Sequence, residues 1–421
     1  MRLPRSSQGV PPGVGCSIRS VTGFSTRAIR ASARAPRVDQ HPTSVPIYQT
    51  ATFVSGDADE LDAVLLGTQP GYAYSRVDNP TTAALAQAIA ELEGAEAGFV
   101  LSSGMAAIHA SLVSLVQAGD RIVATNAVYG STPSLLVNVL GPLGVRTDFV
   151  DATDHDAVAA ALAAGPVRVL YAETMSNPTM VVADHATLAD LAHRHGAAYV
   201  VDNTFASPYV CRPLEIGADL VVESATKYIS GHSDVLAGTV AGRGDLIAAV
   251  ARVQIDTGAT LAPLSAFLVM RGLATLGVRL DRHAATSTAL ARWLERQDGV
   301  RQARHPLLPS HPAADIVARQ FHGGSGMFAF ELEGGRPAAR AFLDALTVPA
   351  LTASLGSVHT MIVHPPSTTH RQLNDAELSA AGIGPGLLRC SIGLEDADDL
   401  LADFTTGLEA ARGATPAPAT A

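Results

Sequence analysis

The sequence predicts an α/β chain: a large domain around a mostly parallel, seven-stranded sheet, followed by a smaller C-terminal α+β domain. Two observations carry the first half of that reading. Seven short apolar runs, AGFVL, DRIVA, RTDFVD, VRVLYAE, AAYVVDN, ADLVVES and LAGTVAG, recur between about residues 80 and 261. Between most of them lie segments of helical spacing, such as HATLADLAHRHG and DLIAAVARV. Near-continuous apolar strands separated by helices require cover on both faces, which is the signature of a parallel sheet. The third observation is a change of pattern beyond residue 262. A long helical run there leads to strands near GMFAFELEG and GLLRCSIGLED and to a closing helix, DADDLLADFTTGLEAARG.

Taken in order, residues 1–21 read as an N-terminal extension and 22–79 as an arm ahead of the sheet. Met1 to Val38 contains seven arginines and no acid, a composition compatible with a transit peptide but also with a plain disordered arm. Asn79-Pro80 reads as the N-cap and first position of a helix through TTAALAQAIAELEG. The large domain spans 80–261 and the C-terminal domain 262–413, and GATPAPATA makes 414–421 a flexible tail.

Composition narrows the class. A 421-residue chain that is 47% hydrophobic has material for a large core. A formal net charge of −10 argues against a nucleic-acid partner, which needs clustered Lys and Arg. No apolar run approaches the ~20 residues of a membrane span. Cys16, Cys211 and Cys390 are odd in number and far apart. They show neither a disulfide framework nor metal-ligand spacing, so no metal is expected and a cytoplasmic location is.

In a parallel sheet, ligands gather outside the carboxyl ends of the strands, and the polar residues of interest follow the strands. After AGFVL comes SSGMAA, a Ser/Gly turn opening a helix whose amides and dipole suit a phosphate at Gly104 and Met105. Such turns also merely cap helices. After DRIVA comes Tyr129, an aromatic side chain that packing alone could explain. Then follow Asn177 in TMSNPT and Asp202, which ends an apolar strand and needs a cationic or donor partner if buried. After ADLVVES comes Lys227, among Ser224, Thr226 and Ser230. Together these describe a site for a planar, phosphorylated heteroaromatic aldehyde. Lys227 would form a Schiff base with it. Asp202 would keep the ring nitrogen protonated, Tyr129 would stack on the ring, and Ser224, Thr226, Gly104 and Met105 would hold the phosphate. Pyridoxal 5′-phosphate meets each requirement.

GYAYSRVDNPT, SSGMAA, AVYGST, ETMSNPT, VVDNTFASP, ESATKYISGHSD, ASLGSVHTM, HPPSTTH and GLLRCSIGLED resemble the Cys/Met-metabolism, or trans-sulfuration, family of pyridoxal-phosphate enzymes. The resemblance covers all but the first ~20 residues and the tail. It implies the fold-type I, aspartate-aminotransferase-like architecture and an amino-acid substrate. It also implies that Lys227 carries the cofactor and shuttles protons, and that Tyr129 helps protonate the leaving group. Asn177 would lie near the cofactor's hydroxyl, and Arg389 with Ser354 would grip the substrate carboxylate. Tyr74 and Arg76 would reach the phosphate of a neighbouring subunit in a homotetramer built from two dimers.

The implied chemistry is elimination or replacement at the γ-carbon of a sulfur- or O-acyl-substituted amino acid. Family members that handle cystathionine commonly place acids at the positions of Ala73 and His359. Dedicated methionine γ-lyases commonly place a cysteine at the position of Ser131. Ala73, Ser131 and His359 are therefore expected to set specificity, for a small, uncharged distal group. YGST and HPPSTTH lean towards the O-acylhomoserine sulfhydrylases. The alternatives are a cystathionine γ-synthase or γ-lyase, and more distantly an aminotransferase or a non-catalytic protein on the same scaffold. His364 and His370, in HPPSTTH, read as loop groups.

Overall fold

The computed structural model describes residues 42–371 and 373–414. The expected extension over 1–21, the start of the arm to residue 41 and the tail beyond Ala414 lie outside the described residues. The described chain divides into two compact units, one of residues 42–46 with 50–78 and one of residues 47–49 with 79 onwards.

The smaller unit contains the helix Ala58–Leu65, capped by Asp57, whose side chain accepts from the Glu60 N–H. Thr52 and Tyr74 form an antiparallel bridge. The rings of Phe53 and Tyr72 lie 5.6 Å apart. The Arg76 guanidinium sits 5.5 Å from the centre of the Tyr74 ring, within cation–π range.

In the larger unit the helix Pro80–Glu93 begins as the spacing predicts. The Asn79 side chain accepts from the Thr81 N–H at 2.9 Å, Pro80 takes the first position, and Gly94 ends the helix at φ 67°. The seven predicted strands form one sheet: β1 (Ala97–Leu101), β2 (Arg121–Thr125), β3 (Arg146–Val150), β4 (Val169–Glu173), β5 (Ala198–Asp202), β6 (Leu220–Glu223) and β7 (Gly238–Gly242). Their order is β1-β7-β6-β5-β4-β2-β3. β2 to β6 run parallel, and only β7 opposes its neighbours β1 and β6. β2 and β4 are buried at every residue, whereas the edge strand β3 is largely exposed and carries Arg146 and Asp148. Gly238 lets β7 approach the turn after β1: a Cβ there would stand 2.0 Å from the Ser103 carbonyl oxygen.

The long helical pattern after residue 262 is not one helix. It breaks into Pro263–Leu273 and Leu276–Leu294, bent by 58°. The buried Arg279 ties the break down. Its guanidinium donates to the carbonyls of Gly272, Tyr228 and Ile229, and the Gly272 carbonyl also accepts from the Thr275 N–H and hydroxyl, so the end of the first helix is satisfied from the turn and the next helix.

The C-terminal part carries a second sheet of β8 (Val300–Arg304), β9 (Met327–Leu332), β10 (Ala350–Leu351), β11 (Met361–Val363) and β12 (Leu387–Ser391), in the order β10-β11-β12-β9-β8. The helices Gly335–Ala345 and Ala397–Ala414 cover it. Phe330, Phe342 and Phe404 are fully buried between them, and the Phe342–Phe404 pair meets edge to face at 5.5 Å. Such a pair is worth about 0.5–1.5 kcal/mol beyond the burial itself. This small core fixes β12, the strand that carries Arg389.

Candidate active site

The carboxyl ends of β1, β2, β4, β5 and β6 open into one cavity of about 950 Å³, counted with its open mouth. It is lined by nearly every residue expected to bind cofactor from the sheet: Gly104, Met105, Tyr129, Asn177, Asp202, Ser224, Thr226 and Lys227. Arg389 reaches it from β12.

At one end, Ser103 caps the helix Gly104–Leu115, its hydroxyl accepting from the Ala106 N–H at 3.1 Å. The amides of Gly104 and Met105 belong to the first turn, where a helix offers its N–H groups no internal acceptor. The absent side chain of Gly104 is what holds this wall of the cavity open. A Cβ there would lie 2.7 Å from the Ser224 Cβ. The Ser224 N–H is fixed by the Thr204 hydroxyl at 2.8 Å. The Thr226 hydroxyl donates to the Ala237 carbonyl at 3.2 Å and accepts from the Ala237 N–H at 3.0 Å. To serve a phosphate as a donor it has to turn away from Ala237.

Asp202 closes β5 against the cavity floor. One oxygen accepts from the Thr204 N–H at 2.9 Å and the other from the Tyr171 hydroxyl at 3.3 Å. Burial raises its pKa, and no cation among the described residues pairs with it. A protonated ring nitrogen is the partner this carboxylate lacks. Glu173, at the end of β4, is raised far above the usual range, by burial first and by the Asp202 charge second. It accepts from the Tyr129 N–H and so fixes the loop that presents the Tyr129 ring.

At the other end, Lys227 Nζ donates to the Ser354 hydroxyl at 3.0 Å. Burial, assisted by the Arg389 charge, lowers the lysine to about 8. The buried Arg389 donates to the Ser354 carbonyl at 2.9 Å and to Asn177 Oδ1 at 3.0 Å. Its Nε has no partner, so the fork retains a buried donor facing no protein acceptor. Ser354 and Asn177 thus place the arginine, and Ser354 also ties it to the lysine.

The substrate-side expectations divide. Arg389 and Ser354 come together with Lys227. Ser131 opens the short helix Ser131–Ser134 beside Tyr129, and His359 is exposed in a turn, and neither lines the cavity. Ala73, Tyr74 and Arg76 belong to the smaller unit. The cavity wall beyond Lys227 is instead made by Ala353, Leu355 and Thr369, while Leu236, next to Ala237, lines the end of Thr226. Thr369 lies inside HPPSTTH and donates to, or accepts from, His370 Nδ1 at 2.9 Å. Glu173 and Thr204 lie inside ETMSNPT and VVDNTF, and their positions directly beside the predicted residues were the available signal.

These donors and acceptors fit pyridoxal 5′-phosphate: unpartnered amides at a glycine cradle, a buried acid without a cation, and a half-buried lysine with a depressed pKa. Comparison with known proteins agrees. A profile of the Cys/Met metabolism PLP-dependent enzymes matches residues 25–409. The L-methionine gamma-lyase of Pseudomonas putida is 44% identical over 92% of this chain and 98% of its own. The O-succinylhomoserine sulfhydrylase of Pseudomonas aeruginosa is 40% identical over 92% of this chain and 95% of its own. Among solved structures, cystathionine gamma synthase from Xanthomonas oryzae in complex with cystathionine superposes with a TM-score of 0.84. It is 39% identical, with 88% of this chain and 94% of that chain covered. The chain therefore belongs to the Cys/Met metabolism family of PLP-dependent enzymes, and pyridoxal 5′-phosphate is its cofactor.

Proposed function

We propose that this enzyme eliminates or replaces the γ-substituent of an amino acid whose distal group is small and uncharged, either an O-acylhomoserine or a methionine-like thioether. The observation that carries the reading is the wall beyond Lys227. Ala353, Leu355 and Thr369 form it, and among the described residues the acids lining the cavity are Asp202 and Glu173, both buried. A distal ammonium would find no free carboxylate there, at a cost of about 1–3 kcal/mol. The names of the P. putida and P. aeruginosa relatives support the same substrate class.

In this reading Asp202 would hold the ring nitrogen, and the Gly104 and Met105 amides with Ser224 and Thr226 would hold the phosphate. Tyr129 would cover the ring, Asn177 would lie by its hydroxyl, and Lys227 would hold the aldehyde carbon covalently, with loss of water. Bound there, the cofactor supplies an electron sink that acidifies the α- and β-carbons of the substrate. The other tasks fall to side chains. Arg389 orients the substrate carboxylate through a two-point contact. Lys227 Nζ, near neutrality in pKa, takes the α-proton and moves protons at the β-carbon. The Tyr129 hydroxyl gives a proton to the departing sulfur or oxygen. A thiol then adds at the γ-carbon, or water completes an elimination that yields a 2-oxo acid and ammonia.

The same reading includes the wider organisation. The arm 22–79 brings Tyr74 and Arg76 to a partner subunit's phosphate site in a homotetramer, ahead of domains 80–261 and 262–413, and the enzyme works in the cytoplasm. Ala73, Ser131 and His359 act on specificity, from outside the wall just described. A second reading, turnover of cystathionine, is favoured by likeness to the X. oryzae enzyme solved with that compound.

The test is turnover by purified holoenzyme of L-methionine, of O-acetylhomoserine with sulfide, and of cystathionine, following 2-oxo acid, ammonia and new thiol or thioether. The first two substrates should dominate. Much faster turnover of cystathionine sinks the substrate assignment, and transfer of the amino group without release of ammonia sinks the reaction class.

A further inference from the structure

Beneath the floor of the cavity lie two acids that the chemistry above does not use. Glu93 is the last residue of the helix Pro80–Glu93 and is 0% exposed; Glu223 ends β6, directly before Ser224, and is 2% exposed. Neither has a salt bridge among the described residues. Their surroundings account for half of their oxygens. Asn203 Nδ2 donates to Glu93 Oε1 at 3.5 Å, and the Thr239 hydroxyl donates to Glu223 Oε2 at 3.4 Å. The other two oxygens, Glu93 Oε2 and Glu223 Oε1, are fully buried and receive no donor from the rest of the protein. The two side chains are neighbours, each entering the other's titration. Two carboxylates cannot hydrogen-bond to each other, because each is only an acceptor. One proton between the orphaned oxygens satisfies both, and a second would have no acceptor left.

The surroundings favour that proton. Glu93 lies at the negative end of its helix. Burial pushes it up to about 8, with Glu215 adding to the rise and Asn203, Glu223 and Arg212 opposing it. Glu223 is raised well above the usual range by burial first, then by Glu93 and Asp202. Arg212, whose charge opposes the rise of Glu93, is already bridged to Glu215 at 2.9 Å on the surface.

We propose that Glu93 and Glu223 share a single proton and act as one positioning unit under the cofactor floor. The pair holds Asn203, whose N–H bonds the Val222 carbonyl at 2.9 Å and whose neighbour is Asp202. It leaves Asp202 as the fully charged member of the cluster facing the cavity. This second part rests on the reading that Asp202 holds the ring nitrogen.

Infrared spectra of the holoenzyme test the shared proton. E223Q, E93Q and the double variant should each lose the same un-ionised carboxylic acid band, with equal intensity, because one proton serves both residues. Either single variant suffices if the other fails to fold. Absence of the band, or twice the loss in the double variant, overturns the proposal. The pH midpoint of the cofactor absorbance reads the charge. E223Q replaces a protonated carboxyl with a neutral amide, so the midpoint should stay in place. A displacement of about one pH unit or more would mean that a full charge had been removed, and the pair was doubly ionised. D202N separates the two readings. If it leaves the absorbance unchanged, the role of Asp202 fails, while the infrared result still decides the proton.

Discussion

At its cofactor end the cavity is built from consecutive strand ends of one parallel sheet, and at its substrate end from segments distant in sequence. Ser103, Gly104, Asp202, Ser224 and Thr226 each sit within a few residues of β1, β5 or β6, and the backbone ladder of the sheet sets their spacing. Arg389, Ser354, Leu355 and Thr369 come from the second sheet and its loops. Charge divides the same way. Four buried acids, Asp202, Glu173, Glu93 and Glu223, cluster at or under the first end, and a buried guanidinium, Arg389, marks the second. A site divided so can keep its cofactor while its substrate changes, since the two ends share few residues.

The largest expected effect lies at the substrate end. Arg389→Lys keeps the charge but loses the fork that reaches Ser354, Asn177 and a substrate carboxylate together. A fall of roughly 100-fold in kcat/KM is expected, on the order of 2–3 kcal/mol, with cofactor affinity measured by absorbance titration unchanged. If R389K loosens the cofactor as much as the substrate, the two ends are not independent. The smaller counterpart is Gly104→Ala. The added methyl would lie 2.7 Å from the Ser224 Cβ, so the wall must shift. Cofactor affinity should fall by roughly tenfold, while kcat/KM at saturating cofactor is retained. Alanine favours the helix by about 1 kcal/mol, so a loss of affinity in G104A reports crowding and not a weakened helix.

The same division decides what could be read from the residues alone. A strand followed at once by a polar turn is a local pattern, so Gly104, Asp202 and Lys227 were legible, as were all seven strands of the large sheet. Arg389 was legible only through its motif. Which atoms of Ser354 meet which partner was not, because the hydroxyl to Lys227 and the carbonyl to Arg389 depend on how the loop after β10 lies against β6. The substrate side was less legible for the same reason. His359 is exposed in its turn, and Thr369 and Ala353 line the cavity from loops whose approach no spacing encodes. The break between Leu273 and Leu276 was hidden too, since helical spacing continues across it and the contacts that hold it, from Arg279 and Thr275 to the Gly272 carbonyl, are not written in the spacing. The Glu93–Glu223 contact joins residues 130 positions apart and has no local signature at all.

Lys227 belongs to both ends, and its titration yields the smallest of these effects. Burial and the Arg389 charge lower it from the ordinary 10.5 of a lysine to about 8. A lowered lysine pKa means that the neutral amine, the form that attacks an aldehyde, predominates above pH 8 and not only above 10. Between pH 7 and pH 9 the neutral fraction rises by roughly tenfold and then saturates. The rate at which cofactor-free enzyme captures pyridoxal 5′-phosphate is divided by that of a free lysine analogue at each pH, to remove changes in the aldehyde itself. That ratio should be highest near neutrality and below, and decline from about pH 8 upward, as the enzyme amine becomes fully neutral while the analogue's is still losing protons. A constant ratio up to pH 10 would mean that Lys227 titrates as a solvated lysine. The cavity would then be too wet at its centre for either end to impose its charge on the amine between them.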